Sequence, residues 1–131
     1  MNIVVDTNIL LAVAMDEPER VQLVKATIDA ELIAPATLPF EVGNAISAML
    51  KRRCLTIENA MAVWDAVSVI RVRLVDIDLR AALEMAARHG IYAYDAYVLQ
   101  CGRQMRCPIL TLDIALRRVG VKLGLHIMEV A

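Results

Sequence analysis

With 131 residues the chain is the size of one domain, long enough to bury roughly two-thirds of its unfolded surface, so one compact core is expected. Its hydrophobic fraction is 59%, yet the longest unbroken apolar stretch, residues 9–15, has seven residues against the roughly 20 of a membrane-spanning helix. With 14 basic and 15 acidic residues the net charge is −1, so no global field draws in a polyanion and any nucleic-acid contact must be local.

Residues 2–5 form a β-branched run, and residues 7–15 have helical composition, with Ile9, Leu10 and Val13 at helical spacing, so a buried strand is predicted to feed a helix. The first residues carry no basic leader and no cleavage site, so the expected location is the cytoplasm. Pro18 opens a second helix with a stripe of Val21, Val24 and Ile28, and residues 32–34 are a second short strand. After the turn between Pro35 and Pro39, a third helix takes Phe40, Gly43, Ala45, Ile46, Met49 and Leu50 as its apolar face, with Glu41 in its first turn. Thr56 caps a fourth helix on which Ile57, Ala60, Met61, Trp64, Val67 and Ser68 repeat at three and four. Core packing is the plain role of that stripe; an exposed Trp64 would instead serve a dimer or partner interface.

Residues 71–77 alternate as a strand with a polar edge, and Asp78 starts a helix that closes at His89-Gly90. A helix over 94–105, a buried strand over 109–112, a short helix over 114–119 and a last strand over 126–130 complete the chain. This alternation, without Asn-Gly or Asp-Gly hairpin turns, predicts an α/β fold: a mainly parallel central sheet with helices on both faces, as one domain over 1–131.

Four acids stand out: Asp6 in Val-Val-Asp-Thr-Asn, Glu41 in Phe-Glu-Val-Gly-Asn, Asp95 in Tyr-Asp-Ala-Tyr and Asp113 in Leu-Thr-Leu-Asp. Taken singly, an Asp after a strand is an ordinary helix cap, and a first-turn Glu is favoured by the helix dipole. Taken together, a parallel sheet would gather them at the carboxyl ends of its strands. Carboxylates about 4 Å apart repel by roughly 4 kcal/mol per pair at an effective dielectric near 20, so such a cluster raises pKa values or draws in a cation. His89 and His126 are the only imidazoles, and Cys54, Cys101 and Cys107, expected as reduced core residues, make no zinc set. An oxygen-bound Mg²⁺ or Mn²⁺ is therefore the predicted cofactor, which suits in-line hydrolysis of a phosphodiester. Thr7, Asn8, Asn44 and Thr111 stand beside the acids and can orient a ligand carboxylate or water, or simply cap helices. The basic pairs and triplets, among them Lys51-Arg52-Arg53 and Arg117-Arg118, are plain helix-end charges when taken singly.

On these four motifs the chain resembles the PIN domain family, and within it the small stand-alone members typified by VapC toxins. The order and spacing of the four acids match, over nearly the whole chain. The resemblance implies a Rossmann-like three-layer α/β/α sandwich and a metal-dependent endoribonuclease. It implies Asp6, Glu41, Asp95 and Asp113 as metal-binding, catalytic acids, with Thr111 catalytic as well and Thr7 and Asn8 in support. It further implies an RNA substrate, a homodimer and a small antitoxin protein whose tail occupies the acidic cleft. Leu116 departs from the pattern, since many relatives carry an aromatic residue there. A housekeeping nuclease of RNA maturation and a non-catalytic RNA- or protein-binding module are the alternatives. A haloacid-dehalogenase-type phosphatase fits less well, because Asn8 stands where that chemistry wants a second Asp.

Overall fold

The computed structural model describes residues 1–129. Four strands, β1 (Asn2–Val5), β2 (Glu31–Pro35), β3 (Arg73–Val75) and β4 (Ile109–Leu110), form one parallel sheet in the order β3-β2-β1-β4. Its register pairs Ile3 with Leu32, Val5 with Leu110, and Ala34 with Leu74. Successive strand residues point to opposite faces. Ile3, Val5, Ala34 and Leu110 accordingly enter one core, while Val4, Ile33 and Ile109 enter another. Strands apolar on both faces must be covered on both.

Helices α1 (Thr7–Ala14), α2 (Arg20–Thr27), α3 (Leu38–Lys51) and α4 (Ile57–Ser68) cover the first face. Helices α5 (Leu79–His89), α6 (Ala93–Met105) and α7 (Ile114–Lys122) cover the second. The result is the three-layer α/β/α arrangement predicted from the alternation of elements. Local chemistry sets the helix ends as expected: the Thr56 hydroxyl accepts from Asn59 N at 3.1 Å, Asp78 accepts from Ala81 N at 3.0 Å, and Gly90 ends α5 at φ +62°.

Several faces differ from expectation. On α2 the stripe of Val21, Val24 and Ile28 is exposed and Leu23 alone is buried, because only that residue reaches the core beneath α1. On α3 the helix begins at Leu38, so its buried stripe is Leu38, Val42 and Ile46, and Phe40 faces solvent. On α4 the buried residues are the smaller Ala60, Val63 and Val67, which allow close packing on α1 and α3; Ile57, Met61 and Trp64 remain exposed.

The strand expected over 71–77 shortens to the three residues that face β2. The strand expected over 126–130 reduces to a single parallel bridge between Ile109 and Ile127, since two-residue β4 offers no more; Val130 lies outside the described residues. Cys54 sits exposed in the turn after α3, whereas Cys101 is buried as expected. Among the described residues no helix is long and apolar enough to cross a membrane.

Candidate active site

Strand β1 is flanked by β2 on one side and β4 on the other, so the order of the sheet reverses between β1 and β4. At such a switch point the connections diverge and leave a crevice outside the carboxyl ends of the strands. Asp6 follows directly after β1, Thr111 directly after β4, and Asp113 two residues later. Glu41 lies in the first turn of α3, after β2, and Asp95 in the first turn of α6. All four acids, with Thr7, Asn8 and Asn44, line one cavity of about 290 Å³.

Asp6 is buried and firmly held. Its Oδ1 accepts from Thr7 N at 2.8 Å, and its Oδ2 accepts from Thr111 Oγ1 at 2.8 Å and from Asn8 Nδ2 at 3.2 Å. The Thr111 hydroxyl accepts in turn from Asp113 N at 3.1 Å, and Asn8 Oδ1 accepts from Leu112 N at 3.2 Å. These bonds tie the end of β1 to the end of β4. Thr111 is itself fully buried and stands behind Asp6, outside the cavity wall.

The capping role foreseen for single acids is real for two of them. Asp6 caps α1, and Asp113 caps α7 by accepting from Leu116 N at 3.0 Å. Asp95 does not cap α6, whose cap is Tyr92, and Glu41 does not cap α3, whose cap is Thr37. Asp95 takes part in no side-chain hydrogen bond among the described residues, and Glu41 has the Thr7 hydroxyl near it without a completed bond, so both carboxylates are open to a ligand. The Thr7 hydroxyl is itself buried.

The electrostatics reflect this shortage of partners. Burial, more than any other cause, pushes the Glu41 carboxyl up to about 7, and the Asp6 and Asp95 charges add to the rise; the nearby Thr7 hydroxyl offsets part of it. Burial again leads in raising Asp95 to about 6, with Asp113 and Asp6 contributing. Asp6 is raised by burial and by Asp113, against the lowering effect of its three hydrogen bonds. Repulsion between the acids is therefore present, but desolvation exceeds it.

The donor set fits a hard cation: it is all oxygen, carries uncompensated buried charge, and includes an unsatisfied hydroxyl. Among the described residues no three His, Cys, Asp or Glu side chains converge into a closed ligand set. An arrangement of this kind suits an ion that keeps several waters and binds one or two carboxylates directly.

Two neighbours were not foreseen. Tyr94 lines the cavity, and its only sequence signal is that it precedes Asp95. Arg117 donates from Nη2 to the Thr111 carbonyl at 3.3 Å from one turn beyond Asp113 on α7, a spacing the sequence does contain. A larger hollow of about 620 Å³ lies at the amino ends of β2 and β3, between Glu31 and Arg73, and no predicted site residue lines it.

Fold and cleft define an α/β protein with a carboxylate-lined crevice at the switch point of a parallel sheet. The chain belongs to the PIN domain family, whose model matches residues 3–122. Its fold is similar to that of PAE2754 from Pyrobaculum aerophilum, at 20% identity and a TM-score of 0.64, over 95% of this chain and 98% of that one. It is also similar to VapBC2 from Rickettsia felis, solved bound to a DNA fragment from its promoter, at 13% identity and a TM-score of 0.67, over 98% of both chains. FitAcB from Neisseria gonorrhoeae matches at 16% identity and a TM-score of 0.62, over 97% of this chain and 96% of that one. No protein of curated function matches the chain in sequence.

Proposed function

We propose that the chain is a single-domain, metal-dependent endoribonuclease, the toxin of a toxin–antitoxin pair, acting in the cytoplasm. The observation that carries this reading is the meeting of Asp6, Glu41, Asp95 and Asp113, from four separate segments, around one cavity at the switch point. Two of the four have no structural task that would otherwise account for them.

Asp6 and Asp95, with Glu41 and Asp113, would hold Mg²⁺ or Mn²⁺. A bound ion of this type neutralises phosphate charge and makes water more acidic at neutral pH. Asp6 is held in one carboxylate orientation by three hydrogen bonds. Glu41 and Asp95, without such bonds, can turn toward water or ligand, and the raised Glu41 carboxyl can hold a proton near neutrality. Thr111 acts through the Asp6 carboxylate and the Asp113 backbone, and the Thr7 N–H and the Asn8 amide orient the Asp6 carboxylate. In-line attack of water on an RNA phosphodiester, leaving a 5′-phosphate, is the reaction this arrangement favours.

A protein partner is supported by a separate feature. An apolar groove of about 170 Å³ runs between Leu10, Leu38, Val67 and Leu74, with the partly exposed Trp64 on its rim. Trp is enriched where interfaces concentrate their energy. Homodimerisation and antitoxin capture both suit such a face, and the similarity in fold to VapBC2 and FitAcB agrees with a toxin of that type.

The test is cleavage of a panel of single-stranded and structured RNAs, with and without Mg²⁺ or Mn²⁺, by wild type, Asp6→Asn and Asp95→Asn. Metal-dependent cutting that both substitutions abolish is expected. Folded but equally inactive proteins that still bind RNA or a partner would replace the nuclease with a binding module.

A further inference from the structure

The chain has five Phe, Tyr and Trp residues, and three of them stand where the acids do. Phe40 precedes Glu41 on α3, and it lies one turn before the cavity-lining Asn44 on the same side of that helix. Tyr92 and Tyr94 bracket the start of α6 and precede Asp95. Tyr94 lines the acidic cavity itself, while Phe40 and Tyr92 stand next in sequence to the cavity-bearing turns of α3 and α6. They are also open to solvent: Phe40 is 74% exposed, Tyr92 85% and Tyr94 37%. Tyr94 also makes an edge contact with Tyr97, at 5.7 Å between ring centres and 87° between planes, beside the cavity.

Charge does not explain how a nucleic acid would be held here. Among the described residues that line the cavity there is no lysine or arginine, and four carboxylates face inward. Basic contacts to phosphate, the usual source of affinity, are therefore not supplied by the cavity lining. Aromatic rings supply what remains, since an unpaired base stacks on them whatever its sequence and without a countercharge. A duplex keeps its bases stacked on one another and could not use such rings.

Resting on the nuclease reading above, the geometry points to Tyr94, with Phe40 and Tyr92, as a stacking surface that seats unpaired RNA bases next to the scissile phosphate and selects single-stranded segments. The rings touch the bases and leave the reacting phosphate to the acids.

Binding of a short unstructured oligoribonucleotide tests this, followed by fluorescence anisotropy in EDTA at fixed low salt so that metal-dependent cutting does not intervene. Wild type, Tyr94→Leu and Tyr94→Phe are compared on the intact strand and on one with abasic nucleotides at its centre. Tyr94→Leu is expected to weaken binding of the intact strand about tenfold and Tyr94→Phe by less than about twofold. The abasic strand should bind wild type and Tyr94→Leu equally weakly. Equal affinity of both proteins for the intact strand would overturn the inference, as would a loss that persists in full on the abasic strand, or no binding at all. Conversion of a dimer to a monomer by Tyr94→Leu in sedimentation would overturn it too, by making the ring part of a protein interface. Cutting of the same strand in Mn²⁺ is scored separately: binding that depends on Tyr94 without cutting sinks the nuclease and keeps the stacking surface, and cutting with binding indifferent to Tyr94 does the reverse.

Discussion

Thr111 is a small residue on which two others depend. Its hydroxyl donates to the buried Asp6 and accepts from the Asp113 backbone, so removing it leaves one buried carboxylate short of a partner and one N–H unpaired. Thr111→Val should lower stability by roughly 1–3 kcal/mol in urea denaturation, while Thr111→Ser keeps the hydroxyl and most of the stability. Equal stability of the two variants would show that the hydroxyl carries no such load. The titration of the cavity gives a second expectation. The Glu41 and Asp95 carboxyls sit near 7 and 6 in the folded protein, above their ordinary values of 4.5 and 3.8. Between those limits the folded state binds more protons than the unfolded state, so the stability these groups contribute in acid is lost as pH rises through the folded values. In EDTA the melting temperature should fall by several degrees from about pH 5 to about pH 8, and Glu41→Gln should flatten part of that fall. A melting temperature that rises over the same interval would mean that the carboxyls are not strained in the metal-free protein.

At the scale of elements, two helix glycines separate propensity from packing. Gly43 lies exposed in α3 with open space where a Cβ would stand, so Gly43→Ala should add about 0.5–1 kcal/mol by helix propensity alone. Gly102 lies in α6 where a Cβ would run into the Ile109 side chain on β4. The same propensity gain is available there, but overpacking costs about 1–3 kcal/mol, so Gly102→Ala should be destabilising. Thermal melts of the two variants check the pair, and equal shifts would mean that α6 does not sit tightly on β4. Element boundaries and buried faces were the least legible part of the sequence. The alternation of strands and helices could be followed, as could the caps at Thr56 and Asp78 and the stop at Gly90, because those signals are local. The buried stripe of α3 depended on the helix starting at Leu38, and that of α4 on how closely α1 and α3 approach, neither of which is encoded within the helix concerned.

For the whole molecule, one strand holds two cores together. Ile3 and Val5 belong to one layer and Val4 to the other, so β1 cannot leave the sheet without opening both, and a single unfolding transition follows from that shared strand. Asp6 ends that strand, which couples the cleft to global stability. Adding Mg²⁺ or Mn²⁺ should therefore raise the melting temperature of the metal-free protein, and the rise should vanish in Asp6→Asn. An ion that leaves wild type unmoved at saturating concentration would mean that the cleft does not bind it. The four acids and their order were legible in the sequence, because residue type and position after a strand are properties of the chain itself; that they hold a hard cation belongs to the proposed function.

Sequence alone determined which side chains were available and roughly which elements would carry them, since hydrophobic period, caps and charge are written residue by residue. Only the tertiary structure decided that Asp6 and Asp113 cap helices while Glu41 and Asp95 stay free, that burial outweighs repulsion in raising the carboxyls, and that Thr111 and Arg117 brace the cleft from behind. These depend on distances between segments as much as 105 positions apart, which come into being only when the sheet order brings β1 beside β4.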